Sequence, residues 1–172
     1  LQVEEFKLAA IEIEGAQHRN AANIRRAVPA LKPGTTPSDL VISEQLRLAN
    51  ENPGRQMEAT FRTEDDGKLV GVVRVADRES LAGQMSLDNT GSASTGQWRL
   101  GAALQHHNLF DRDVVGTLQV QTSPGYWQEV QIVSASARVP LYGVGWMLDA
   151  SAVSSSVDSG TSSTAAGNYQ LA

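Results

Sequence analysis

Cysteine is absent from the 172 residues, which excludes disulfides and thiolate metal sites but leaves the compartment open, since many exported chains manage without it. No apolar run approaches the ~20 residues that a membrane-crossing helix needs. The opening Leu1-Gln2-Val3-Glu4-Glu5 is not a signal peptide, so an exported protein would have lost its leader before this point. Net charge is −5, with neither a basic stripe nor basic residues interleaved with aromatics, and nucleic-acid binding is set aside. Nucleophile motifs are missing too: there is no Gly-x-Ser-x-Gly, and Gly143-Val144-Gly145-Trp146 lacks the third glycine of a dinucleotide loop. The run Glu64-Asp65-Asp66 has no partner at a spacing suited to general acid and base work and reads as a solvated hairpin turn. His106 and His107, adjacent on a strand, point to opposite sides and cannot easily share an ion, and His18 stands alone near a helix start. The expectation is a chain that is not an enzyme and carries no metal site and no cofactor.

What charge there is lies at one end. Residues 1–78 hold 11 Lys or Arg and 12 Asp or Glu, whereas the 94 residues from Glu79 onward hold three arginines, seven acids and no lysine. A densely charged half followed by one rich in Gly, Ser, Ala and Val is the pattern of a water-soluble domain joined to a lipid-facing one. The boundary falls near Asp77 and Arg78.

In the first half, Phe6 to Glu14 alternates, with Ile11 and Ile13 on one face and Glu12 and Glu14 on the other, and Gly15 ends it. Asn20 to Val28 offers Ala21, Ile24, Ala27 and Val28 at helical spacing with Arg25 and Arg26 facing away, before Pro29 and Pro33-Gly34 break it. Thr36 or Ser38 can cap a second helix, Asp39 to Asn50, with Leu40, Val41, Leu46 and Leu48 on its apolar stripe. Met57, Ala59 and Phe61 then alternate with Glu58, Thr60 and Arg62, Glu64-Asp65-Asp66-Gly67 turns the chain, and Leu69 to Val75 makes a third strand. That order gives a three-stranded sheet covered on one face by two helices.

In the second half five stretches alternate. Leu81, Gly83, Met85 and Leu87 form the apolar row of the first, Trp98, Leu100, Ala102 and Leu104 that of the second, and Val114, Gly116, Leu118 and Val120 that of the third. The fourth, Glu129 to Val139, is ambiguous, because Val133, Ala135, Ala137 and Val139 share one face while Val130 and Ile132 share the other. The fifth aligns Tyr142, Val144, Trp146, Leu148, Ala150 and Ala152. The opposite rows are small or polar, and the lengths approach the ~9 to 11 residues of a tilted membrane strand. A soluble jelly roll has the same period, but Arg99, Arg138 and Asp149 fall on the inner face or near turns, where a water-filled lumen tolerates them. Trp98, Trp127, Trp146, Tyr126 and Tyr142 suit interfacial anchors of a barrel wall, with packing in a soluble core as the competing role.

Several of these segments carry a family resemblance. Ile11-Glu12-Ile13-Glu14-Gly15, Leu31-Lys32-Pro33-Gly34, Leu48-Ala49-Asn50-Glu51-Asn52-Pro53-Gly54-Arg55 and Leu69-Val70-Gly71-Val72-Val73-Arg74-Val75 together resemble a POTRA domain, most closely the second POTRA of two-partner secretion transporters. Asp88-Asn89-Thr90-Gly91, Ser94-Thr95-Gly96-Gln97-Trp98-Arg99, Asn108-Leu109-Phe110-Asp111-Arg112-Asp113 and Arg138-Val139-Pro140-Leu141-Tyr142-Gly143 resemble the opening barrel strands of the ShlB/FhaC/HecB-type haemolysin secretion/activation proteins, the TpsB branch of the Omp85 superfamily. The signature residues are Asp88, Asn89, Gly91, Thr95, Gly96 and Arg99, and turn chemistry alone also accounts for the Asp-Asn-x-Gly part.

The resemblance implies an α+β POTRA domain (β-α-α-β-β) followed by the first strands of an antiparallel transmembrane β-barrel. Residues 1–5 would be a linker from a preceding domain, 6–77 the POTRA domain and 78–172 about five strands of an incomplete barrel. The Ser- and Gly-rich stretch from Ser154 to Gly167 reads as an exposed turn into a sixth strand cut short at Ala172. Too few strands are present to close a barrel, so the chain is expected to be a fragment.

The implied setting is the Gram-negative outer membrane with the POTRA in the periplasm. The implied function is passage of a large unfolded haemolysin or adhesin, and the partners are that secreted client, outer-membrane lipid, another POTRA and the remaining strands. A free sheet edge can add an incoming strand, making Met57, Ala59, Phe61, Leu46 and Leu48 candidates for a client groove, against ordinary core packing. Gln97, Arg99, Gln119, Gln121 and Asp149 are candidates to line the lumen. An assembly factor of the same superfamily and a soluble, secreted β-rich adhesin are the alternatives.

Overall fold

The computed structural model describes residues 7–65, 67–158, 162–164 and 167–169; the expected linker over residues 1–5 and the expected strand end at Ala172 lie outside them. Strand β1 (Leu8–Glu14) is followed by α1 (Ala21–Ala27), α2 (Asp39–Asn50), β2 (Arg55–Thr63) and β3 (Leu69–Asp77). Asn20 caps α1, its side chain accepting from the Asn23 amide at 2.9 Å, which satisfies one of the helix's free N–H groups. Ser38 occupies the N-cap of α2 without a side-chain bond.

The three strands form a sheet in the order β1-β3-β2, with β1 parallel and β2 antiparallel to the central β3. Alternate residues of β3 face the helices, where Val73 and Val75 join Leu8, Ile24, Ala27, Leu31, Ile42, Leu48 and Met57 in one core. Each such aliphatic side chain contributes about 1.5 to 3 kcal/mol by leaving water, so the helix-facing layer carries most of the stability of this part. Val70 and Val72 are also buried, on the helix-free face. There Arg62 reaches across the sheet to both carboxylate oxygens of Glu12 at 2.8 and 2.9 Å, and its aliphatic stem shields the valines beneath.

The buried face of α2 differs from the expected stripe. Ile42, Leu48 and Ala49 face the core, while Leu40 is 85% exposed and Val41 is exposed as well. Residues three, four and seven apart share a helix face, which links Ile42 to Leu46 and Ala49. Leu40, two residues before Ile42, falls on the opposite side.

Five further strands follow: β4 (Leu81–Asp88), β5 (Arg99–Leu109), β6 (Val114–Thr122), β7 (Val130–Leu141) and β8 (Trp146–Val157), in a sheet whose order is the chain order. Four-residue turns join β5 to β6 and β7 to β8, a length that permits only antiparallel neighbours. Longer connections of ten and seven residues join β4 to β5 and β6 to β7. A short hairpin, β9 (Ser162–Thr164) with β10 (Gly167–Tyr169), comes last. The serine-rich stretch expected to be a turn from Ser154 is therefore partly strand, because β8 runs to Val157. Val153 and Val157, which flank the three serines, favour an extended backbone.

Two compact units emerge. One comprises the described residues up to Ser80 with His106–Val115 and Arg138–Asp149; the other comprises Leu81–Gln105, Gly116–Ala137 and the described residues from Ala150 on. The division expected at Asp77 and Arg78 follows the chain, whereas the packing assigns both four-residue turns to the first unit.

Candidate functional site

In the second unit, side-chain pairs define the polar face of the sheet. Gln105 donates to Thr117 at 3.0 Å and Ser134 to Gln119 at 3.3 Å, while Gln84, Ser86, Gly101, Gln119 and Gln121 line a common hollow. Further along the same strand faces, in the first unit, Arg138 pairs with Asp149 at 2.7 Å. Because alternate residues of a strand share a face, Ser134 and Arg138 assign the even-numbered positions of β7 to the polar side. That resolves the ambiguous strand: Val133, Ala135, Ala137 and Val139 belong to the apolar face and Ile132 to the polar one. On the apolar face Leu81, Met85, Leu87, Leu104, Leu118, Val120, Val133 and Leu148 are all exposed, Met85 to 76%.

Of the expected lumen residues, Gln119, Gln121 and Asp149 lie on this polar face. Gln97 and Arg99 do not act there. Gln97 precedes β5 and its carbonyl accepts from the Gly91 amide at 2.9 Å. Arg99 begins β5 but folds back, donating to the carbonyls of Thr95 and Gly96 at 3.2 and 2.8 Å and to the Thr95 hydroxyl at 2.8 Å. A guanidinium surrounded by free carbonyls at a loop base satisfies its donors there instead of reaching across the sheet.

The signature residues thus form one braced loop. Asp88 accepts from the Thr90 amide at 3.0 Å, turning the chain out of β4. Gly96 has φ +83, and a Cβ there would run into Ser123 Oγ and the Tyr126 ring; one at Gly91 would meet the Gly96 carbonyl. Ser123 in turn donates to the Trp98 carbonyl at 2.8 Å. Trp98, Trp127 and Trp146 are exposed, as anchors would be, but Tyr142 is buried and takes no part in the outer wall.

In the first unit β2 pairs along its whole length with β3 and pairs with no other strand among the described residues. Its inward residues do not all remain available to a client. Met57 and Leu48 are 1% and 3% exposed in the core and belong to packing, while Leu46, Ala59 and Phe61 are half-buried against that core.

The densest polar contact among the described residues was not expected from the sequence. Asp113, in the β5–β6 turn, meets Arg19 Nε at 3.2 Å and Arg55 Nη1 at 3.0 Å, all three side chains being essentially inaccessible. Tyr142, in the β7–β8 turn, accepts from Arg55 at 2.5 Å and donates to Asp113 at 3.1 Å. Burial, opposed by Arg55 and reinforced by Asp113, holds the phenol well above its ordinary value. The surplus positive charge is met by backbone carbonyls: Gly54 accepts from Arg19 at 2.9 Å and Ala49 from Arg55 at 3.3 Å. Asn52 adds bonds to the carbonyls of His107 and Asp113 at 2.7 and 3.2 Å. Phe110, Asp111 and Asp113 have positive φ, a conformation that costs non-glycine residues energy, and Asn23 and Arg26 hold the turn through the Asp111 carbonyl at 3.1 and 2.8 Å.

Comparison with known proteins gives no matching family model and no matching curated protein. Solved structures do match. CdiB from Escherichia coli superposes with a TM-score of 0.72 at 19% identity, over 95% of this chain and 30% of that one. CdiB from Acinetobacter baumannii gives 0.61 at 16% identity, over 86% and 28%. BamA from Haemophilus ducreyi, in a structure lacking POTRA domains 1–3, gives 0.56 at 14% identity, over 89% and 28%. The chain has the fold of the matched part of these structures. It spans less than a third of each.

Within this fold, the residues that sequence reasoning passed over are Arg19, Asn23 and the network roles of Asn52, Arg55, Asp113 and Tyr142. Asn52-Pro53-Gly54-Arg55 and the Asn108-to-Asp113 turn do stand out as motifs. Nothing in their spacing says that they meet, because 58 positions separate Arg55 from Asp113. The signal was two uncompensated features: an arginine, Arg55, at an inward-facing strand position, and an aspartate-rich turn with no glycine.

Proposed function

We propose that the chain is part of an outer-membrane two-partner secretion transporter, in which the β1-α1-α2-β2-β3 domain is a periplasmic POTRA and β4 to β8 are the opening wall of a transmembrane pore. The observation that carries this reading is the two-faced meander. One face carries exposed Leu, Met and Val with Gly and Ala between them; the other holds Gln, Ser and an Arg–Asp pair. Exposed apolar surface on that scale is costly in water and normal against lipid. Loop lengths support the orientation, since barrels of this kind keep short turns on the periplasmic side and both four-residue turns belong to the unit that contains the α/β domain. The chain performs no catalysis and needs no cofactor; its work is capture and passage.

The client is a large unfolded exoprotein such as a haemolysin or adhesin. The unpaired side of β2 offers backbone donors and acceptors to an extended segment, and Ala59, Phe61 and Leu46 offer apolar contact beside it. The Asp-Asn-x-Gly and Thr-Gly-x-x-Arg loop favours the secretion branch over an assembly factor for other barrels.

The test is photo-crosslinking from Thr60 in the full-length chain, produced with its exoprotein. Crosslinks to the exoprotein are expected, and Phe61→Glu, in a protein that still folds, should reduce them severalfold. Crosslinks to nascent barrel proteins would assign the assembly role. Undiminished crosslinking in folded Phe61→Glu would remove the β2 edge as the capture site.

A further inference from the structure

A groove of about 770 Å³ in the first unit runs between α1 and the β7–β8 turn. Its apolar side comprises Pro29, Leu141 and Val144, and its rim carries Arg25, Arg26 and Lys32. Arg26 is occupied, donating to the Asp111 carbonyl at 2.8 Å. The Arg25 guanidinium and the Lys32 ammonium meet no acid or acceptor among the described residues. Two uncommitted cations beside an apolar floor form an amphipathic pair, and the strand parity extends that floor. Leu141 ends the outward row of β7 after Val139, and Val144 is exposed in the turn beside it, so the groove adjoins the outward end of that strand.

We infer that this groove binds an anionic phospholipid of the periplasmic leaflet, with the headgroup phosphate between Arg25 and Lys32 and the acyl chains along Leu141 and Val144. This rests on the membrane reading of β4 to β8. Charge selects the occupant: with cations on the rim and no carboxylate in the lining, a zwitterionic headgroup brings an ammonium that nothing there accepts, whereas phosphatidylglycerol does not. The continuity of the floor with the apolar wall selects a lipid over a soluble anion, because it places the acyl chains where the strands already meet hydrocarbon.

The experiment uses the full-length chain in nanodiscs of phosphatidylethanolamine with and without phosphatidylglycerol, followed by native mass spectrometry of the lipids retained on release. The wild-type protein should keep phosphatidylglycerol in preference to phosphatidylethanolamine. Arg25→Glu with Lys32→Glu should weaken that retention at least about thirtyfold, from about 1 kcal/mol for each cation removed, without altering heat-modifiable gel mobility, and Arg25→Lys should keep it. Should the charge-reversed protein fail to fold, Arg25→Gln with Lys32→Gln carries the same expectation. Equal retention of the two lipids by the wild type, unchanged retention in the variants, or displacement of phosphatidylglycerol by excess inorganic phosphate would each overturn the lipid site while leaving the membrane reading intact. A wild-type chain that enters neither bilayer would overturn the membrane reading as well.

Discussion

Asp113 is the residue on which the first unit depends most sharply. Its carboxylate faces two inaccessible guanidiniums, and a buried charge that loses its partner costs far more than a buried pair contributes. Asp113→Asn should therefore destabilise the unit by about 3 to 5 kcal/mol, and Tyr142→Phe, which removes one hydroxyl from the same cluster, by about 1 to 3 kcal/mol. Denaturant titration of protease resistance in the α/β part checks both. Replacing the three charges together, Arg19→Met, Arg55→Met and Asp113→Leu, should recover most of the loss, since apolar side chains of similar volume replace such clusters well. At this scale the sequence was least legible. Asp113 closes the Asn108-to-Asp113 motif and Arg55 the Leu48-to-Arg55 motif; their partnership depends on a tertiary approach that periodicity does not encode.

Among the elements, the strands could be read from alternation and the ends of α1 from Asn20 and Pro29, because both signals are local. On α2 the expected stripe holds at Leu46 and Leu48, which pack toward the core, and fails at Leu40 and Val41, two adjacent apolar residues that the fold leaves exposed. The loop from Asn89 to Trp98 shows the opposite case, in which the family resemblance marks a motif and the structure supplies its reason. Gly96 sits at φ +83 with Ser123 and Tyr126 against it, so Gly96→Ala adds both conformational strain, about 1 kcal/mol or more, and a collision with Ser123 Oγ. The Ser123 bond to the Trp98 carbonyl and the Arg99 bonds to Thr95 and Gly96 then lose their geometry. Limited proteolysis should cut this loop faster in Gly96→Ala than in Gly125→Ala, whose added Cβ meets nothing within 4 Å although its φ is also +83. Equal rates would mean that the packing of Gly96 against Ser123 and Tyr126 does not hold the loop.

For the molecule as a whole, the question is which solvent each face of the β4–β8 sheet meets, and neighbouring positions of β6 answer it. Leu118 lies on the apolar face and Gln119 on the polar one, one residue apart near the middle of the strand. The backbone, the depth and the neighbouring strands are nearly the same for both, so a lysine at either position differs only in its surroundings. On the lipid-facing side a lysine near the bilayer centre costs about 2 to 4 kcal/mol, whereas a lumen position accepts it. Leu118→Lys should consequently reduce the fraction of full-length protein that attains the heat-modifiable, protease-resistant form in bilayers by an order of magnitude or more, and Gln119→Lys should leave it near the wild-type level. A soluble sandwich with its core on the Leu118 side would also reject the first change, but it would fold in plain buffer without lipid or detergent. Measuring both variants with and without a bilayer separates the two solvents: loss confined to Leu118→Lys, in a protein that assembles only when lipid is present, is the result that the two-faced wall requires.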